Sequence, residues 1–304
     1  MPELPEVETT VRELKKAILG RKIEDVWSDA RKIVKIPKDF REFRRKITGK
    51  KIEAIWRRAK NIIICLSGSD SLLIHQKMTG HLLFGKWQKE KGKWRPAMEG
   101  RGSPNKIGRP EKRGLLEDPA NRFLHLIFYL DNGKMLALSD MRKFAKVELK
   151  NKEVLKKELD SLGPEPLEKS FSFEKFKGVL RNKRGKVKQV LIDQAVIAGI
   201  GNIYSDEALW LAKIHPLKDV SRLSFDELKR LYGAIKKILP LAIKLRGDSF
   251  SDYRRPAGGK GYFDIKRKVY RRKGEKCSRC GIIIQRIKIG GRSAHFCPNC
   301  QPVQ

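Results

Sequence analysis

Two pairs of cysteines near the C-terminus constrain the fold of this chain more than any other feature. Two residues separate Cys277 from Cys280 and Cys297 from Cys300, and sixteen residues separate the pairs. Four thiolates at this spacing are typical of a tetrahedral Zn²⁺ site, and a closed four-cysteine site is structural rather than catalytic. The residues between the pairs have the pattern of a β-hairpin with Arg292 beside two glycines at its tip. We therefore predict a zinc-bound hairpin.

The charge of the chain indicates its kind of partner. Its 304 residues include 69 Lys and Arg against 35 Asp and Glu, a net charge of +34. Such an excess favours nucleic acid, although a membrane surface or simple solubilising charge would also explain it. The chain has neither an apolar run of membrane-spanning length nor a signal-peptide pattern, so we expect a soluble cytoplasmic protein. Cys65, alone in an apolar run, is expected to be an inert core thiol.

The first half of the chain predicts a β-sandwich with a helix packed on it. Apolar residues recur at helical spacing over residues 5–19, and Gly20 follows as a stop. From Ile23 to about Leu149 the pattern is that of strands, with a hairpin signal at Asp131-Asn-Gly133. Residues 86–113 are strongly basic and rich in Gly and Pro. We expect them to form a mobile loop that contacts DNA or is merely solvated.

The second half predicts helices followed by the zinc hairpin. Ser161–Pro166 has the composition of a hinge, and helical patterns follow at 173–180, 187–196 and 206–212. Ser224 and Glu227 form a capping box that opens a longer helix. We therefore predict an α+β protein with a catalytic β-sandwich domain at 1–150, a helical domain at 167–260 and a zinc finger at 267–301.

The first residues suggest covalent chemistry. Without Met1, Pro2 would be a free secondary amine, and a terminal amine titrates below lysine and is a better nucleophile at neutral pH. Glu3 and Glu6 follow, and the carboxylic acid of Glu3, one residue from Pro2, could transfer protons. The alternative is that Pro2 is a spacer and both glutamates are first-turn helix acids.

Two internal motifs are less specific alone. In Ala198-Gly-Ile-Gly-Asn-Ile-Tyr-Ser-Asp-Glu207, two glycines allow a tight turn before a helix N-terminus. Backbone N–H groups and the Asn202 amide could bind a phosphate there, although an ordinary helical corner has the same pattern. Arg57-Arg-Ala-Lys60 places Lys60 at a strand edge, where most lysines are simply solvated.

Together these motifs resemble the bacterial formamidopyrimidine-DNA glycosylases, also called MutM. The Pro-Glu-Leu-Pro-Glu-Val-Glu start, the Arg-Arg-Ala-Lys run, the Ala-Gly-Ile-Gly-Asn run and the cysteine hairpin occur in family order. The resemblance covers nearly the whole chain apart from the basic insertion. It implies a β-sandwich, a helix–two-turn–helix domain and a zinc finger, with damaged double-stranded DNA bound between them by a monomer.

The resemblance also implies roles for individual residues. Pro2 matches the nucleophile, Glu3 the proton donor for opening of the sugar ring, and Lys60 the lysine that assists β-elimination. Arg292 matches the arginine credited with δ-elimination and phosphate binding. Other matches concern DNA binding. Asn202 matches a phosphate contact, and the Lys183-Arg184 pair falls near another lysine that contacts DNA in the family. Met78, Arg142 and Phe144 match the wedge residues that fill the space left by a flipped-out base.

The chain departs from the family at two places. Asp140-Met-Arg-Lys-Phe-Ala145 replaces the usual Asp-Pro-Arg-Arg-Phe-Gly, so the geometry of the loop bearing Arg142 and Phe144 is not predicted. Phe123 replaces a histidine that binds DNA in the family. The basic insertion could bind DNA in place of that histidine, in which case its deletion should flatten the salt dependence of binding.

The resulting hypothesis is a bifunctional DNA glycosylase and apurinic/apyrimidinic lyase acting on oxidised purines, with one structural zinc and no redox or nucleotide cofactor. One rival is the endonuclease VIII type, which prefers oxidised pyrimidines and usually begins Pro-Glu-Gly-Pro-Glu; Leu4 favours the purine branch. The other is a non-catalytic zinc-ribbon protein that binds DNA or RNA, which would not need Pro2, Glu3 and Lys60 together.

Overall fold

The N-terminal half contains the predicted helix and strands, and also a short helix at Phe40–Ile47 that the strand pattern did not indicate. The structure is a computed structural model that describes residues 1–97, 114–249 and 252–303. Its helices and strands up to residue 151 are α1 (Leu4–Ile18), β1 (Ile23–Ser28), β2 (Val34–Ile36), α2 (Phe40–Ile47), β3 (Ile52–Arg58), β4 (Asn61–Leu66), β5 (Asp70–His75), β6 (His81–Gly85), β7 (Trp87–Glu90), β8 (Lys93–Pro96), β9 (Leu124–Leu130), β10 (Met135–Ser139) and β11 (Lys146–Asn151).

Two sheets pack face to face around one core. One has the strand order β1-β9-β10-β6 and the other β2-β11-β5-β4-β3. Phe128 from the first sheet and Val147 from the second are buried in a single apolar cluster with Val11 of α1 and Phe43 of α2. The predicted β-sandwich with a packed helix is therefore confirmed.

The basic insertion is partly a hairpin rather than a loop. β7 and β8 pair in antiparallel register, with Trp87 opposite Pro96. Trp87 is buried against the outer face of the β9 sheet, and the Trp94 ring lies 5.2 Å from that of Trp27. The loop prediction was wrong for residues 86–97, because these tryptophans supply the apolar burial that the surrounding charges obscured. The rest of the insertion, 98–113, lies outside the described residues.

The C-terminal half contains the predicted helices and the hairpin, although the helix predicted at 187–196 ends at Ile192 and the helix predicted at 206–212 begins at Asn202. Its helices and strands are α3 (Lys152–Asp160), α4 (Phe173–Leu180), α5 (Val187–Ile192), α6 (Asn202–Ala212), α7 (Phe225–Lys244), β12 (Gln285–Ile289) and β13 (Arg292–Phe296). The capping box opens α7: the Ser224 hydroxyl accepts from the Glu227 N–H at 3.2 Å, and the Glu227 carboxylate accepts from the Ser224 N–H at 2.9 Å. No helix in the described ranges is both long and apolar enough to cross a membrane.

The segment predicted as a hinge is fastened to the first domain. The Glu165 carboxylate forms ion pairs with Arg57 at 2.7 Å and with Arg58 at 3.2 Å. Arg58 also donates to the carbonyl groups of Leu162 and Gly163, both at 2.8 Å. The two arginines of the Arg-Arg-Ala-Lys motif therefore join the domains.

Candidate active site

The first turn of α1 lies against the glycine-rich turn before α6. The Leu4 N–H donates to the Gly199 carbonyl at 3.0 Å. Gly199 has φ +87°, and a Cβ on Gly201 would lie only 2.4 Å from Glu3 Cδ. The glycines are required at these two positions because the turn must bend and because Glu3 packs directly on it.

Glu3 is bound by the N-terminus of α6. Its carboxylate oxygens accept from the N–H groups of Ile203 at 2.9 Å and Tyr204 at 3.4 Å. Burial raises the pKa of Glu3, although the Lys60 charge opposes that rise. The predicted phosphate site is therefore partly wrong, because a carboxylate of the protein already uses two N–H groups of this helix end. The side chain of Asn202 remains for a phosphate through its amide N–H groups; its buried Oδ1, which has no hydrogen-bond partner within the described residues, is an acceptor and cannot bind one.

Lys60 lies in the tight turn between β3 and β4, rather than at a strand edge. It is only 6% exposed and follows Ala59, which has φ +52°. Burial lowers the pKa of Lys60, the Glu3 charge raises it, and the Arg292 charge lowers it further. The charges of Glu3 and Arg292 therefore both act on the Lys60 amine.

Glu6 adds a second buried carboxyl group that the predicted site did not include. It accepts from the Tyr204 hydroxyl at 2.5 Å, the Asp248 N–H at 2.8 Å and the Glu3 N–H at 2.8 Å. Burial, and secondly the Glu3 charge, raise the pKa of Glu6 to about 8. The sequence indicated Glu6 only as an acid in the first turn of α1, because Tyr204 and Asp248 are distant in sequence and gave no signal.

A small cavity of about 50 Å³ lies beside Pro2. Its lining includes Glu6, Ile203 and Tyr270, and also Met78, one of the predicted wedge residues. Met78 is 38% exposed although it follows a buried strand. The structure thus brings Met78 beside Pro2 instead of packing it in the core.

The loop with the altered family motif is organised by Asp140. This fully buried carboxylate accepts from the Arg142 N–H at 3.2 Å, from the Ala145 N–H at 2.7 Å and from the Thr79 hydroxyl. The Arg142 guanidinium lies 4.6 Å from the centre of the exposed Phe144 ring. Since Thr79 follows Met78, one carboxylate joins all three predicted wedge residues.

The predicted residues of the helical domain lie in two different environments. Lys183 and Arg184 are exposed in the turn between α4 and α5 and do not line the Pro2 cavity. Asn202 is the first residue of α6. Its carbonyl accepts from the fully buried Lys188 amine at 3.3 Å.

Lys188 belongs to a buried network that was not predicted. Its amine forms an ion pair with Asp206 at 2.5 Å, and Asp206 also accepts from the His295 N–H at 2.9 Å. Because His295 lies on β13, which begins at Arg292, the network ties the start of α6 to the strand that carries Arg292.

The four cysteines fit one structural zinc. Their Sγ atoms all lie within 4.8 Å of one another, with 4.0 Å between Cys277 and Cys300 and 3.4 Å between Cys280 and Cys297. A tetrahedral site with Zn–S bonds of about 2.3 Å requires Sγ separations of about 3.8 Å. Trp210 of α6 donates its indole N–H to Cys277 Sγ at 3.4 Å, which joins the metal site to the helical domain.

Comparisons with known proteins give matches to three family models along the chain. These are the formamidopyrimidine-DNA glycosylase N-terminal domain (residues 1–147), the glycosylase H2TH domain (162–254) and the zinc finger found in FPG and IleRS (274–303). A curated formamidopyrimidine-DNA glycosylase from Heliobacterium modesticaldum is 39% identical over 304 residues, covering 99% of this chain and 100% of the relative.

Solved structures of Lactococcus lactis Fpg (MutM) give the same result. A complex with DNA containing Fapy-dG has a TM-score of 0.81 at 35% identity, and a complex of the wild-type protein with DNA containing an oxidised pyrimidine has 0.81 at 36%. Each comparison covers 99% of this chain and 100% of the other. Matches of this identity and coverage, over all three regions, show that the chain belongs to the formamidopyrimidine-DNA glycosylase family.

Proposed function

We propose that this protein removes oxidised purines, such as 8-oxoguanine and formamidopyrimidines, from duplex DNA as a glycosylase and apurinic/apyrimidinic lyase. The observation that carries the proposal is the convergence of Pro2 and Glu3, from the N-terminal segment, with Lys60, from the turn between β3 and β4, on one buried region. The named relatives and the Fapy-dG complex of the Lactococcus lactis protein support the substrate class.

Pro2 is the proposed nucleophile. While Met1 is attached, the Pro2 nitrogen is a tertiary amide without an N–H or a reactive lone pair, so Met1 must be removed first. The free secondary amine then attacks C1′ of the damaged nucleotide, and the bond from C1′ to the base breaks. Opening of the sugar ring leaves an iminium, or Schiff base, between Pro2 and C1′.

The groups around Pro2 suit the later steps. Glu3, whose pKa is raised, donates the proton that the ring oxygen takes up when the sugar opens. Lys60, whose pKa is lowered, assists β-elimination at the 3′ side and contacts a phosphate. Arg292 then stabilises the phosphate that leaves in δ-elimination. The product is a one-nucleotide gap.

The remaining predicted residues bind the duplex. Met78, Arg142 and Phe144 fill the space of the extruded nucleotide, which must leave the stack before Pro2 can reach it. Asn202, Lys183 and Arg184 bind phosphates on the helical side.

We propose a monomer, because one chain supplies every residue assigned above. We also propose a cytoplasmic location, since thiolates that bind zinc persist in a reducing compartment.

Borohydride trapping tests this function. The chain is mixed with a duplex carrying 8-oxoguanine opposite cytosine, and in parallel with a duplex carrying dihydrouracil. We expect a covalent adduct on the 8-oxoguanine strand. It should be absent from a preparation that retains residues before Pro2, as verified by intact mass, because that nitrogen cannot form an iminium.

The other outcomes distinguish the rivals. Trapping on dihydrouracil alone would assign the chain to the oxidised-pyrimidine branch, a class to which the second Lactococcus lactis complex gives weight. No adduct on either duplex from fully processed protein would leave a DNA-binding protein without catalysis.

A further inference from the structure

Arg122 and Phe123 form an exposed cation–aromatic pair that none of the roles above uses. The Arg122 guanidinium lies 4.9 Å from the centre of the Phe123 ring. Arg122 is exposed and Phe123 is half-buried. Within the described residues the structure shows no carboxylate paired with this guanidinium. A guanidinium stacked by its face on a ring keeps its N–H edge available to an anion.

The backbone below this pair is firmly held. Residues 119–122 form a short 3₁₀ turn, capped by the Asp118 carboxylate, which accepts from the Ala120 N–H at 2.9 Å. The buried Asn121 amide donates to the carbonyl groups of Leu115 at 3.0 Å and Gly258 at 3.2 Å. Because this turn is fixed, Arg122 projects from a defined position rather than from a loose loop.

The pair lies directly beside the loop that carries Arg142 and Phe144. The Asp140 N–H donates to the Phe123 carbonyl at 2.9 Å, and the Asp140 carboxylate organises that loop. Two arginines, each over a phenylalanine ring, therefore flank Asp140. Arg142 and Phe144 belong to the proposed wedge. The Arg122–Phe123 pair therefore lies next to the place where the wedge would enter the duplex.

We propose that Arg122 binds a DNA backbone phosphate beside the wedge, with Phe123 as the platform that orients its guanidinium. This inference rests on the proposed function for the position of the DNA. The N–H edge of a guanidinium matches two phosphate oxygens, and its charge persists at every physiological pH. The contact therefore contributes to affinity and to orientation of the duplex, without reading the sequence of bases.

The test compares Arg122→Ala with a matched control, Arg31→Ala. Arg31 is also an exposed arginine over a phenylalanine ring, 5.7 Å from the centre of Phe40, and it belongs to the same domain. Binding is measured between 50 and 200 mM salt on a duplex that contains a reduced abasic site, which cannot form an iminium. Loss of one phosphate contact lowers the slope of log affinity against log salt by about 0.9. The ratio of the affinity of the unaltered chain to that of Arg122→Ala should thus fall roughly threefold to fourfold between 50 and 200 mM salt.

Two further variants separate charge from stacking. Arg122→Lys should keep the slope of the unaltered chain, since the charge remains, while Phe123→Leu should weaken binding because the platform is lost. An unchanged slope in Arg122→Ala, or an equal change in Arg31→Ala, would overturn the proposal. The two proposals can fail independently. If the unaltered chain forms no borohydride-trapped adduct but Arg122→Ala still lowers the salt slope, the phosphate contact stands and the proposed catalysis does not.

Discussion

Replacing Gly201 by alanine tests the contact between the N-terminal segment and α6. The added Cβ would lie 2.4 Å from Glu3 Cδ, whereas ordinary contacts begin at 3.4 Å, so the carboxyl group must move by about 1 Å. The hydrogen bond from Ile203, now 2.9 Å, would then be lost. Hydrogen bonds to charged groups contribute about 1.5–3 kcal/mol, and overpacking costs about 1–3 kcal/mol. Since the two effects overlap, we expect the free energy of unfolding to fall by about 3 kcal/mol.

The assay is urea unfolding with zinc present, together with single-turnover excision. A displacement of 1 Å at a catalytic group can reduce the rate by about 100-fold. Gly233→Ala is the matched control, because Gly233 lies inside α7 with nothing within 4 Å of an added Cβ. The free energy of unfolding of Gly233→Ala should rise by about 0.5–1 kcal/mol, because alanine has less backbone entropy than glycine in the unfolded chain.

A double-variant comparison identifies the cause. In a Glu3→Ala chain the clashing carboxyl group is absent, so adding Gly201→Ala should cost little further stability. The reasoning would be refuted if Gly201→Ala unfolded at the same urea concentration as the control. It would also be refuted if the cost of Gly201→Ala were unchanged in the Glu3→Ala background.

Three other predictions concern charge, metal and the domain junction. Burial raises the pKa of Glu6 to about 8, so its stabilising contribution is present below its unfolded pKa of about 4.5 and is lost as the pH rises through 8. Between pH 5 and 8, the free energy of unfolding of the unaltered chain, measured in urea, should fall by about 1.4 kcal/mol per pH unit relative to that of Glu6→Gln. The same pH dependence in both proteins would contradict this. Chelation of zinc should unfold the hairpin and abolish δ-elimination, as measured by circular dichroism and product analysis, and zinc should restore both. Glu165→Gln should remove the carboxylate that Arg57 and Arg58 share, while Arg57 keeps its ion pair with Glu8 at 2.9 Å. This substitution should lower the free energy of unfolding by about 1.5–3 kcal/mol in thermal unfolding, whereas Glu168→Gln at the exposed surface should not.

The sequence was sufficient to predict the structural features that depend on a local pattern of residues. The spacing of the cysteines, the capping box at Ser224 and the turn at Asp131–Gly133 all fold as expected, because each needs only neighbours in the chain. The helix α2 was missed although its buried residues have helical spacing, since it lies in a stretch dominated by charge.

What the sequence could not reveal are the interactions that join distant segments. Nothing local indicates that Glu3 binds the start of α6, that Glu165 holds two arginines of β3, or that Asp206 contacts His295. These groups are polar, and they become buried only when distant segments of the chain pack together, so the local sequence does not indicate their partners. The role proposed for Phe123 belongs to the same class, because the position of its ring depends on a turn that is held by Gly258, which is distant in sequence.

The binding of Glu3 by α6 also means that the two domains share one titrating group. The carboxyl belongs to the first domain, whereas the N–H groups that bind it belong to the second. The proton affinity of Glu3 is therefore a property of the domain interface. An isolated N-terminal domain would lack those N–H groups and would expose Glu3 to water, so the burial that raises the pKa of Glu3 would be lost. Replacing either domain by itself would therefore change the pKa of Glu3.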